Sequence, residues 1–360
     1  MSLNNFEPTI GIEEEFYVNS SENLRDKNLS NISFEIFDHQ IELKTGIHSS
    51  LNSLFLEQIE NRKFLFEKYL GTQIIGSGTF PGLKKEPQVK INGDREEFLF
   101  RKLGHVLLMV DTCGLHVHVG IKDPNRSIEI INKTREYIPM LIAISGNSPI
   151  YQGIDTGYSS FRNVLHLLMP RTGIPPYFND LEDYINEFNI LEKNETHVNG
   201  NVYNNNWWDI RFNEKYSTIE FRMFDSQSNF NLVQLFASLS LLVILKCAYS
   251  KSSVCNNSIL LNENRWRACR FGINSILFDC KTMLEKPVYL LWKEFFEECK
   301  EYVDCFEGLA SQLELFDDLL FNFNGAVLQR KKLQNQSTIE SVMEFQNKQF
   351  LKSCQKTSFQ

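Results

Sequence analysis

Four short segments each place two polar, reactive side chains on one face of an apolar strand pattern: Gly11–Phe16 (GIEEEF), Gly114–Gly120 (GLHVHVG), Trp207–Phe212 (WWDIRF) and Thr218–Asp225 (TIEFRMFD). Residues two apart in a strand point to the same side of the sheet. That alternation pairs Glu13 with Glu15, His116 with His118, Asp209 with Arg211, and Glu220 with Arg222. Two carboxylates at this spacing repel unless a cation lies between them, and hard oxygen ligands suit Mg²⁺ or Mn²⁺. Imidazole binds transition metals or faces a phosphate. The guanidinium fork matches phosphate or carboxylate. Burying one such pair alone is costly. Four of them predict one polar sheet face that holds cations and anions together, as a metal-bound nucleotide requires.

Each pair also has a plainer reading. Glu13 and Glu15 fit an acidic edge strand facing water. His116 and His118 fit hydrogen-bonded histidines in a half-buried strand, or the strand end of a barrel metallohydrolase. Glu220 and Arg222 fit an ordinary cross-strand salt bridge, which contributes little. Arg162, in Ser159–Arg162 (SSFR), and Arg135 are further candidates for binding a substrate carboxylate. Glu42 is a lone acid between Ile41 and Leu43, where a solvated strand glutamate looks the same. The glycine-rich Gly76–Thr79 (GSGT) has neither phosphate-loop nor Rossmann spacing. A nucleotide would therefore be held through metals and arginines on a sheet.

The elements that position these residues follow from periodicity. An opening strand is expected over Thr9–Val18. Helices are expected over 50–70, 95–110, 127–145 (carrying Arg135) and 181–191, with long loops over 146–176. An Asn-rich connection over 194–206 leads to strands at 207–212 and 217–224. From about Asn231 the pattern is mostly helical, and 355–360 reads as a frayed tail. There is no internal repeat or obvious linker. The expectation is α+β in a single domain, with a strand-rich part over about 9–225 and a mostly helical part over about 231–354. The sheet is mostly antiparallel, its polar face carries the site and helices pack on the outer face.

A chain of 360 residues with 42% hydrophobic content can bury a large core. A net charge of -8 without any run of Lys or Arg argues against nucleic acid or an anionic membrane as partner. The eight cysteines are scattered without a C-x-x-C pair and read as reduced cytoplasmic thiols. Cys113, beside the His-x-His strand, reads as a small buried hydrophobe. No signal peptide is recognised. Leu235–Tyr249, interrupted by Ser238, Ser240 and Lys246, reads as a buried helix too short to span a bilayer.

Taken in order, the motifs resemble the type 2 glutamate–cysteine ligase family, the carboxylate–amine ligases, whose fold is similar to the catalytic domain of glutamine synthetase. The matching stretches are Ile10–Phe16, Ile41–Leu43, Gly76–Pro81, Gly114–Gly120, Ser145–Pro149, Gln152–Gly157, Pro170–Pro176, Trp208–Arg211, Thr218–Asp225 and Asn264–Gly272. The resemblance implies that Glu13, Glu15, Glu42, His116 and Glu220 hold divalent metal, Mg²⁺ or Mn²⁺. It places Arg211 and Arg222 on the ATP phosphates, His118 near the substrate or transferring phosphate, and Arg162 on the amino-acid substrate. Asn163 stands where many members have proline, which bears on the shape of the substrate loop. The implied reaction transfers the γ-phosphoryl of ATP to a substrate carboxylate, and an amine then attacks the acyl phosphate. Small amino acids are the implied partners, in glutathione biosynthesis.

Three other readings compete. A ligase acting on another carboxylate–amine pair carries the same motifs. A metallohydrolase on His116 and His118 predicts further ligands at later strand ends, yet the later histidines, His166 and His197, lie outside any strand pattern. A degenerate nucleotide or amino-acid sensor is disfavoured by the intact Glu13, Glu15, His116, Glu220 and Arg222. The C-terminal third offers surface for a homodimer, but no residue pattern selects one.

Overall fold

Ile10, Ile12, Glu14 and Phe16 alternate with Gly11, Glu13 and Glu15, and the segment forms strand β1 (Ile10–Asn19) with its apolar positions buried. The structure, a computed structural model, describes residues 6–19, 32–83, 94–192, 206–251, 254–314, 316, 318, 322 and 324–355. His197, the tail beyond Gln355 and all of the Asn-rich connection except Asn206 lie outside the described residues.

β1 joins β2 (Ile32–Phe34), β3 (Gln40–Lys44), β4 (Gln73–Ile75), β5 (Gly114–Gly120), β6 (Ile210–Asn213) and β7 (Thr218–Asp225) in a seven-stranded sheet. The order is β6-β7-β5-β1-β3-β2, and β4 pairs with the far end of β1. Every pairing in it is antiparallel. The antiparallel sheet and α+β class expected from the sequence are present.

Helices pack on both sides of the sheet, among them α1 (Leu51–Lys68), α2 (Asp94–Leu103), α3 (His105–Met109), α4 (Asn125–Thr134), α5 (Ile138–Ser145), α6 (Arg162–Leu165), α7 (Leu181–Glu192), α8 (Phe230–Tyr249) and α9 (Ser258–Phe271). Of these, α2, α3 and α6 border the polar face. Ile12, Val117, Ile219 and Phe221 from the sheet share one apolar cluster with Phe55, Leu141 and Phe236 from the helices. α1 starts cleanly because the Ser50 side chain accepts the Ser53 N–H at 3.2 Å.

The structure divides two of the expected helices. The stretch 95–110 breaks at Gly104, whose φ of 55° lies in the left-handed region that glycine tolerates. The stretch 127–145 contains a 3-10 turn at Arg135–Tyr137 before Pro139, which lacks an N–H to continue the ladder. A short hairpin, Ile276–Phe278 with Glu285–Pro287, interrupts the helical C-terminal region. α8 is longer than expected, and with 20 residues it is the one described helix long and apolar enough to cross a membrane. It lies almost wholly inside the core. Its Ser238 and Ser240 hydroxyls donate to the carbonyls of Gln234 and Phe236.

Glu14, between the two site-facing glutamates, points the other way. Its carboxylate lies under α1 against Arg62, whose Nε sits 3.2 Å from both Glu14 oxygens. Arg62 also donates to Ser228 O at 3.0 Å, Gln227 O at 2.9 Å and Ser353 Oγ at 3.1 Å. The rings of Phe16, Phe230 and Phe350 surround it. Arg62→Met strands a buried carboxylate and should lower unfolding free energy by about 3–5 kcal/mol. The double variant Glu14→Leu/Arg62→Met should recover most of that loss, as urea unfolding of the two proteins will measure.

Candidate active site

The register assembles the polar face row by row. Glu13 of β1 stands opposite His116 of β5 and Lys44 of β3, and Glu15 stands opposite Glu42. One row away, Glu220 of β7 lies between His118 of β5 and Arg211 of β6. These side chains reach across as the strand positions dictate. His116 Nδ1 lies 3.2 Å from Glu13 Oε2, and His118 Nε2 lies 3.5 Å from the same oxygen. Glu220 receives Arg211 through two bonds of 2.9 and 3.1 Å, Asn213 Nδ2 at 3.0 Å, and the Arg222 guanidinium as an ion pair.

Three groups of three ligands converge with donor atoms within 4.8 Å of one another: Glu13–His118–Glu220, Glu13–Glu42–His116 and Glu15–Glu35–Glu42. Nε2 of His116 and Nε2 of His118 are buried without a hydrogen-bond partner. A buried lone pair of this kind is unfavourable unless something binds it, so the donor set fits divalent cations. Lys44 Nζ supplies positive charge within the same cluster, 2.6 Å from Glu42 and 3.6 Å from Glu13.

The electrostatics separate these acids. Burial raises the Glu15 carboxyl, helped by the charge of Glu35 and opposed by Arg162, to about 7. Burial and the charges of Glu35 and Glu13 raise Glu42 well above the carboxylate range. Glu13 and Glu220 go the other way. Burial opposes ionisation of both, but His116 and His118 hold Glu13 low, and Arg211 and Arg222 hold Glu220 low. Burial and the Arg222 charge push His116 down to about 3, so it is neutral and able to ligate.

The face floors a cleft of about 580 Å³. Phe98, Leu99 and Leu103 of α2, Leu107 of α3, and Met169 and Trp207 form an apolar wall opposite the charged floor. Arg162 enters from α6, 2% exposed, with Nη2 donating to Arg222 O at 3.1 Å and with Nε and Nη1 unpartnered. It passes so close to β5 that a Cβ at Gly114 would lie 2.5 Å from Arg162 Nη2, which explains the glycine there. Asn163 donates to Ser160 Oγ and Met223 O, each at 2.8 Å, and thereby anchors the turn that carries Arg162.

Glu13, Glu15, Glu42, His116, Arg162, Arg211, Glu220 and Arg222 all line this cleft. His118 belongs to one of the ligand groups. Two expected residues do not join them. Asp209 lies in a bend between Trp208 and Ile210, so strand alternation fails there. Its carboxylate instead takes Arg265 at 2.7 and 3.0 Å. Arg135 does not line the cleft, because α4 packs on α8 and on β6 and β7. Its guanidinium lies near Cys255, Cys280 and Tyr177 on that side of the sheet. Glu35, Lys44 and His166 were missed by sequence reasoning. Lys44 was accessible through its two-residue spacing from Glu42, whereas His166 reaches the cleft only through the fold. Cys113 is buried, and desolvation raises its thiol well above the usual range.

Residues 9–345 match the family described as glutamate-cysteine ligase family 2. A glutamate–cysteine ligase of Natronomonas pharaonis is 30% identical over 76% of this chain and 75% of its own length. A protein of Herpetosiphon aurantiacus, provisionally named glutamate–cysteine ligase 2, is 26% identical over 93% of this chain and 91% of its own. Among solved structures, the AMP complex of Francisella tularensis glutamate–cysteine ligase superposes with a TM-score of 0.73 at 12% identity. That superposition covers 98% of this chain and 90% of that one, and it establishes likeness of fold.

Cation binding at the acidic cluster must displace the protons that burial retains on Glu15 and Glu42. Titration calorimetry with Mg²⁺ or Mn²⁺ in buffers of different ionisation enthalpy should count proton release near pH 7. Affinity should weaken as pH falls through about 7, the value to which Glu15 is raised.

Proposed function

The chain belongs to glutamate-cysteine ligase family 2, and from that membership we propose that its polar sheet face activates the side-chain carboxylate of glutamate with ATP and joins it to the amine of cysteine. It is a ligase of the ATP-dependent, carbon–nitrogen bond-forming type. The observation that carries the detailed reading is the meeting, on one face, of three carboxylate–imidazole or carboxylate groups with the Arg211–Glu220–Arg222 cluster. Two polyanions must approach each other in the first step, and this face offers cation ligands beside fixed guanidinium groups.

Glu13, Glu15, Glu42, His116 and Glu220 would hold Mg²⁺ or Mn²⁺, with His118 and Glu35 completing two of the groups. A metal bound there would supply positive charge against the phosphates. Arg211 and Arg222 face the transferring phosphoryl group, and Glu220 keeps both forks in place. Arg162 has two unpaired donors for the amino-acid carboxylate. The apolar wall of α2 and α3 limits water around an acyl phosphate that would otherwise hydrolyse. No protein nucleophile is required. The same reading places the protein in the cytoplasm, consistent with the free thiols of its cysteines.

Purified protein with ATP and Mg²⁺ should release ADP only when glutamate and cysteine are both present. ADP release with another carboxylate–amine pair moves the substrate assignment. Absence of ADP with every pair overturns the reading. Glu220→Gln should weaken metal–nucleotide binding and turnover together. Arg222→Lys should cost about 100-fold or more in kcat, because a point charge does not replace the planar fork. Coupled ADP assays and nucleotide titrations will separate the two effects.

A further inference from the structure

We propose that His166 is a catalytic residue, whose Nδ1 takes a proton from the incoming ammonium group so that the amine can attack the acyl phosphate. The inference rests on the ligase reading and adds the group that readies the second substrate. An amino-acid amine is protonated at neutral pH and has no lone pair to offer until a base receives that proton.

His166 follows Arg162 by one helical turn, so both side chains enter the same cleft from one short element. Its Nε2 lies 2.9 Å from Thr112 Oγ1. The Thr112 hydroxyl has the Val110 carbonyl as its own acceptor at 3.2 Å. The hydroxyl therefore accepts from Nε2–H, and the tautomer leaves the lone pair on Nδ1. That nitrogen receives no hydrogen bond from a described residue and is not among the buried unpartnered atoms, so it is open to the cleft. Four other histidines are committed elsewhere: His39 to Asp111, His48 to Glu57, and His116 and His118 within the cation-ligand groups.

The surroundings keep the ring uncharged before substrate arrives. Burial, then Arg162 on its own element, Arg222 on β7 and Arg265 on α9, hold His166 well below the usual imidazole range. The anionic acyl phosphate then raises the proton affinity of the ring. In the step itself one ammonium proton passes to Nδ1. The freed nitrogen pair forms the C–N bond, the single bond between the acyl carbon and the phosphate-bearing oxygen breaks, and phosphate leaves with that electron pair. The second proton on nitrogen departs to solvent.

The test compares two acceptors, cysteine and hydroxylamine, with ATP, Mg²⁺ and glutamate. Hydroxylamine is already unprotonated at neutral pH and needs no base. His166→Gln retains a donor toward Thr112, and His166→Asn is the second variant should the first fail to fold. The expected result is a loss of about 100-fold or more in kcat with cysteine, several-fold at most with hydroxylamine, and recovery of the cysteine reaction as pH rises. Equal losses with both acceptors, or no loss with cysteine, overturn the assignment. A wild-type protein that makes neither product overturns the ligase reading instead.

Discussion

A β-strand cannot turn one side chain to the other face without slipping its whole register, and that constraint carries the rest of this structure. In β1 a slip of one residue would bring Glu14 into the cleft and send Glu13 and Glu15 into the aromatic core around Arg62. The apolar residues of β1, β5 and β7 lock the register through the core they share. The Glu14–Arg62 pair adds a polar lock within that core. The geometry of the ligand groups is thus a consequence of hydrophobic burial on the reverse side of the sheet.

Concentrating carboxylates on one buried face creates charge that must be compensated locally. The protein solves this in two ways on adjacent rows. Glu220 accepts guanidinium and amide donors and stays ionised. Glu15 and Glu42 have fewer cationic neighbours, and burial raises both carboxyls. The first arrangement builds a rigid anion-stabilised arginine pair. The second leaves ligands whose charge develops when a cation arrives.

The loops and short helices bring the remaining chemistry. Arg162 and His166 share one turn whose position depends on Asn163, Ser160 and the carbonyl of Met223. Arg265 ties this turn to Asp209 by bonding both Asn163 O, at 3.2 Å, and the Asp209 carboxylate. Asp209, which as a strand residue would have faced the cleft, instead becomes a strut behind it. Its backbone carbonyl also receives the Arg222 N–H at 2.8 Å, which links the strut to the floor.

Much of this site was legible in the linear pattern because strand alternation is local: knowing that Glu13, Glu15, His116, His118, Glu220 and Arg222 lie in strands is enough to place each pair on one face. The α+β class was legible for the same reason, since the periodicities of strand and helix are short-range. Alternation misled at Asp209, where the strand bends, and it says nothing of Arg135, whose helix packs on the opposite side. Which pairs share a row, that Glu35 and Lys44 join the carboxylate cluster, and that His166 opens into the cleft beside Arg162 were decided by tertiary structure alone. The physical reason is that cross-strand register and loop placement depend on contacts between residues far apart in the chain, and only the burial of the common core selects among them.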